Sequence, residues 1–166
     1  MPKSNLGFGQ LKNKHMKNNI FEQETVSTVI ERINQLKDGK NAEWGKMSAA
    51  QMLAHCNVQY EMVYEDKHAK PNMFMKFMLK LLVKKKVVTD VPYPKNGQTA
   101  PQFVIKDDKN FEGEKKRLID YLQKTQELGE AHFDGKESFS FGPLNLEEWN
   151  YMFYKHLDHH LKQFGV

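Results

Sequence analysis

Trp149-Asn-Tyr-Met-Phe-Tyr-Lys-His156-Leu-Asp-His159-His160-Leu-Lys-Gln163-Phe164 is the stretch on which the fold turns. Trp149, Met152, Phe153, His156, His160 and Phe164 recur at a period near 3.6, so they share one face of a helix and form its inward stripe. Just upstream, Asn145-Leu-Glu-Glu148 reads as a capping box that opens this helix, and Glu147 and Glu148 complement its dipole. Within the stripe, His156 and His160 stand four residues apart, about 5 to 6 Å at Cβ, a spacing from which two imidazoles reach one ion. An isolated His-x-x-x-His is more often a pair of ordinary polar residues near a helix end, where protonated histidine meets the negative dipole terminus. A third imidazole changes that balance.

An inward stripe needs other stripes to bury it. Phe21, Val26, Val29, Ile30, Ile33 and Leu36 recur at helical spacing and Asp38-Gly39 closes the segment, which predicts a first helix. Ser48-Ala-Ala-Gln51 is a second capping box, and Met52, Leu53, His55, Cys56, Gln59, Met62 and Val63 give the helix behind it an inward face running to about Glu65. A third long helix is predicted from about Asn110 to Leu128, carrying Phe111, Leu118, Ile119, Leu122 and Leu128, with Gly129 placed to stop it. Four long amphipathic helices predict an all-α four-helix bundle, and no strand alternation competes with it. Residues 20–166 are expected to form this one domain, and residues 1–19, rich in lysine and asparagine with little periodicity, a flexible extension.

Two segments lie outside the four-helix pattern. After Pro71-Asn72, residues 73–86 read as an additional short helix in which Lys76, Lys80 and Lys84 form a narrow cationic ridge beside a broad apolar face. The expected arrangement is a helix packed on the bundle with its lysines in water. A lid over the bundle mouth and contact with an anionic membrane surface are the rivals. The run from Val91 to Asp108 holds Pro92, Pro94, Gly97 and Pro101 and is expected to be a long irregular connection of the kind that lies across a site.

Composition narrows the function classes. The net charge of +4 and pI ≈ 9.0 invite a nucleic-acid reading. Arg32 and Arg117 are the only arginines, however, and bidentate contact with phosphate or guanine is chiefly arginine chemistry, so no nucleic-acid partner is expected. The single cysteine, Cys56, excludes an intramolecular disulfide, and a cytoplasmic location is expected. Cys56 follows His55 directly, but successive helical residues diverge by about 100 degrees, so it is read as packing. His15, His68 and His132 lack suitable spacing and are expected to be exposed.

The segment Trp44-Gly-Lys-Met-Ser48-Ala-Ala-Gln-Met-Leu-Ala-His55, together with His156-Leu-Asp-His159-His160-Leu-Lys-Gln163-Phe164, resembles the DinB-like superfamily of metal-binding four-helix bundles over roughly residues 21–166. The resemblance implies one divalent metal held by His55, His156 and His160, with coordination positions left for water or substrate. It also implies a reaction class, since that superfamily includes transferases and isomerases that use low-molecular-weight thiols such as bacillithiol, mycothiol or glutathione. Many members have no assigned activity. Zinc or nickel is expected at the site, with iron and manganese also compatible with three imidazoles.

His159, Asp158 and Gln163 are expected near the site as supporting hydrogen-bond partners or as solvated groups. A small-molecule substrate is expected as the partner, membrane contact is not, and pairing into a homodimer through a helix face stays open. Metal-assisted hydrolysis is the enzymatic rival to thiol transfer, and a non-enzymatic binding module is the rival from another class.

Overall fold

The computed structural model describes residues 18–166, so most of the expected N-terminal extension lies outside the described residues. Asn19 is buried, donates its side-chain amide to Glu130 at 2.7 Å, and leads into Ile20, whose backbone N–H donates to the Asn150 side chain at 2.7 Å.

The described residues are all-α apart from one hairpin of two-residue strands. Helix α1 spans Gln23–Gln35, α2 Ala49–Tyr64, α3 Met73–Leu82, α4 Lys84–Val87 and α5 Phe111–Phe133. The last rod is α6, Leu146–Asn150, continued by a π-helical turn over Tyr151–Lys155 and by α7, His156–Gln163. Four rods pack in a ring, α1 on α5, α5 on α2, α2 on α7 and α7 back on α1. Both capping boxes form as expected: Ser48 accepts from the Gln51 N–H and Asn145 from the Glu148 N–H, while each N3 side chain caps the backbone in return.

Facing stripes build the core. Val26, Val29, Ile33 and Leu36 of α1 meet Leu118 and Leu122 of α5 and Phe153, Leu157 and Leu161 of the last rod in one buried cluster. Phe133, Trp149 and Phe153 interlock at one end with ring centroids 5.3 to 5.6 Å apart, within the range favoured by edge-on aromatic contacts.

The structure differs from the sequence expectation in four places. Gly129 breaks helical geometry with φ +68°, but the chain regains a last turn to Phe133, because Phe133 packs on Phe21 at 5.1 Å and on Trp149. Where no strand was expected, a short hairpin pairs Glu137–Ser138 with Gly142–Pro143. The residue 73–86 helix is broken at Val83 into α3 and α4. Finally, α2 is buried on nearly all sides from Ala49 to Glu61, where an amphipathic helix was expected, because α5, α7 and the connection after α4 enclose it.

Candidate metal centre

His55 lies near the middle of α2, and His156 and His160 on α7; the packing of α7 on α2 brings the three rings together. One ligand nitrogen from each can be chosen so that all three lie within 4.8 Å of one another. His55 Nε2 and His156 Nε2 are 3.0 Å apart, close to the roughly 3.3 Å edge that two nitrogens at about 2.0 to 2.1 Å from one tetrahedral ion subtend. Ring centroids separate by 4.5 Å for His55 and His160 and by 4.8 Å for His156 and His160.

Hydrogen bonds fix two of the three tautomers. His55 Nδ1 lies 2.9 Å from the Phe103 carbonyl, which can only accept, so Nδ1 carries the proton and Nε2 keeps its lone pair. Gln163 Nε2 donates to the Trp44 carbonyl at 2.7 Å, which orients the amide so that Oε1 faces His160 Nδ1 at 2.8 Å. His160 is thereby also protonated at Nδ1, with Nε2 as its free nitrogen. Gly45 makes room for this arrangement. It has φ +85°, and a Cβ there would lie 2.5 Å from Gln163 Nε2. His156 has no comparable lock, its Nδ1 being buried without a hydrogen-bond partner.

Burial keeps the cluster neutral. Desolvation lowers the pKa of His55 despite its bond to Phe103, and it carries His160 down to about 3, helped by the neighbouring His55. His156 is held well below its ordinary value by desolvation and then by the adjacent histidines. Neutral imidazole is the metal-binding form. Three neutral nitrogens converging with two tautomers fixed therefore fit a divalent cation, and among the described residues this is the cluster with that property.

The connection between α4 and α5 covers the centre. Phe103, in a short 3₁₀ turn over Pro101–Phe103, lies tilted at 5.3 Å from His55 and edge-on at 5.9 Å from His156, and Tyr93 meets the His156 and His159 rings edge-on. Lys155 ties this cover down by donating to the carbonyls of Lys86, Thr89 and Val91 at 2.5 to 3.0 Å. Neither Tyr93, Phe103 nor Lys155 stood out in the sequence; the proline-rich run signalled a cover, but not which side chains face inward.

The remaining expected residues divide. Gln163 bonds His160 directly. His159 does not join the cluster; it is half-buried between Trp44, at 5.9 Å, and Tyr93, at 5.6 Å. Asp158 faces α1 instead of the histidines, bound to Arg32 at 2.9 Å and Lys162 at 2.7 Å. Cys56 is buried in the core and desolvation pushes its thiol far up, consistent with packing. His68, expected to be exposed, is partly buried against Glu61 at 2.8 Å, and His15 lies outside the described residues.

The family described as "Protein of unknown function (DUF1569)" matches residues 16–165. The chain belongs to the DUF1569 family. That match covers α1 to α7 and all three histidines, so the histidine cluster lies wholly within the DUF1569 region. No curated protein matches the chain, and no solved structure does.

Proposed function

We propose that this DUF1569 protein is a metal-dependent enzyme of DinB-like type, holding one divalent cation, zinc or nickel, through His55, His156 and His160, and acting as a thiol-dependent transferase. The observation that carries the reading is the pair of fixed tautomers, since the Phe103 carbonyl and Gln163 turn the Nε2 atoms of His55 and His160 toward the centre as neutral donors. When bound, the ion supplies Lewis acidity that lowers the pKa of a thiol or water. The chain's own groups do the rest: Gln163 and the Phe103 carbonyl orient ligands, while Phe103 and Tyr93 keep bulk water from the rings. The core gives no role to Cys56 as a nucleophile, so the attacking sulfur comes from a cosubstrate.

The test is elemental analysis of untagged protein, wild type beside His156→Ala, with circular dichroism on both. About one equivalent of metal in wild type and none in the variant, at unchanged helicity, is the expected result. Wild type without metal after reconstitution with several divalent ions would overturn the reading. With metal present, turnover of an electrophile that requires an added thiol supports transfer, and turnover without thiol overturns transfer in favour of hydrolysis.

A further inference from the structure

Helix α3 does not sit as its sequence suggests. It has no buried residue, and its one substantial helix neighbour among the described residues is α4. Leu79 and Val83 touch the core, whereas Met73, Phe74, Phe77, Leu81 and Leu82 are 60 to 83% exposed. Phe74, Phe77 and Leu81 follow one another at i, i+3 and i+7, which makes a continuous outward apolar ridge. The packed helix expected from sequence is thus inverted, with its apolar side in water. An exposed aromatic ridge of this kind marks a surface that meets something else.

Charge decides what that is. Between Asp66 and Asp90 there is no acidic residue, and Lys76, Lys80, Lys84, Lys85 and Lys86 flank the ridge. Lys76 pairs with Glu137 and Lys84 with Glu148, leaving Lys80, Lys85 and Lys86 without a carboxylate partner among the described residues. A second copy of the chain would set one lysine row against another at the interface. A protein partner would need a cleft shaped for a convex ridge, whereas a lipid interface deforms around it. Aromatic and unbranched apolar side chains at headgroup depth, with lysines beside them, satisfy both forces that hold an interfacial helix. No helix among the described residues is long and apolar enough to cross a membrane, so the contact is peripheral.

We infer that α3 and α4 form a docking surface for an anionic lipid bilayer, with Phe74, Phe77 and Leu81 inserted and Lys80, Lys85 and Lys86 on the headgroups. No side chain of this surface belongs to the histidine cluster, although Lys155 bonds the Lys86 backbone carbonyl. Co-sedimentation with vesicles of phosphatidylcholine alone, and of phosphatidylcholine with one-third phosphatidylserine, tests it in the full chain. Binding to the phosphatidylserine vesicles only, weakening as salt rises, is expected.

Each of Lys80→Gln, Lys85→Gln and Lys86→Gln is expected to lower partitioning about five-fold at low salt. Phe77→Glu with Leu81→Glu is expected to abolish it while helicity and metal content stay at wild-type values, because those positions are exposed. Equal recovery in the supernatant with both vesicles would overturn the inference. So would polyglutamate binding that matches vesicle binding and survives Phe77→Glu, or a dimer in light scattering that the same substitutions dissolve with no vesicle binding.

Discussion

Helices α2 and α3 invert the usual relation between composition and burial. The first carries His55, Asn57, Gln59 and Glu61 and is buried on nearly every side, while the second is built of methionine, phenylalanine and leucine and buries nothing. Much of the polarity of α2 is paired, although Asn57 Oδ1, Gln59 Oε1 and the Tyr60 hydroxyl are buried without a partner. Asn57 donates to Glu114, Gln59 to the Met152 carbonyl at 2.5 Å, and Glu61 is held by Lys67, His68 and Arg117. An unpaired buried polar group would cost about 1 to 3 kcal/mol, so these bonds are what let a polar helix occupy the centre. For α3, among the described residues, only Leu79 is packed against the core, and the apolar ridge faces water. Burial here follows a helix's place in the ring of rods, and each departure from composition points to a proposed role: buried polarity to the candidate metal centre, exposed apolarity to the proposed docking ridge.

The sharpest way to break the comparison is to truncate both helices' neighbourhoods. Phe153→Ala, which removes a fully buried ring stacked on Tyr60 of α2, is expected to cost about 3 to 5 kcal/mol in urea unfolding. Next in size is the support of the centre. Gln163→Ala is expected to weaken metal affinity about 10- to 100-fold in a competition titration while the helical signal persists, since His160 loses the partner that fixes its tautomer.

The metal-free protein should lose stability in acid. His55, His156 and His160 all have folded-state pKa values below the ordinary 6.5, so the unfolded chain takes up protons first as pH falls. Stability held above pH 6.5 then drains, for His160 down to about pH 3, at up to about 1.4 kcal/mol per pH unit per histidine. His160→Gln should flatten that slope in denaturation series run from neutral to acid pH. The smallest effect belongs to α3: Phe77→Ser is expected to change stability by no more than about 0.5 kcal/mol, and a larger loss would show that the ridge is packed after all.

Local chemistry was the legible part of this chain. Capping boxes at Ser48 and Asn145 depend on residues three apart and could be read without tertiary knowledge, whereas the stripe from Trp149 to Phe164 was read at one helical period and the π turn at Tyr151–Lys155 interrupts it. The convergence of His55 with His156 and His160 was legible through the family likeness more than through spacing, because their meeting depends on how α7 lies on α2. What could not be read depends on long-range placement. Nothing local distinguishes Gln163, which turns toward His160, from Asp158, which turns toward Arg32. Nor does an apolar pattern in residues 73–82 say that no other element will arrive to cover it.

The π-helical turn at Tyr151–Lys155 gives the last rod two phases in place of one. Upstream, Trp149 and Phe153 are indexed to the aromatic end of the core; downstream, His156 and His160 are indexed to His55. Because a π turn holds one residue more than an α turn, winding the same five residues as regular α-helix would swing one half against the other by roughly a quarter turn. The imidazoles would then face a neighbouring rod while the aromatic cluster stayed whole. The bulge is a gearing between scaffold and centre.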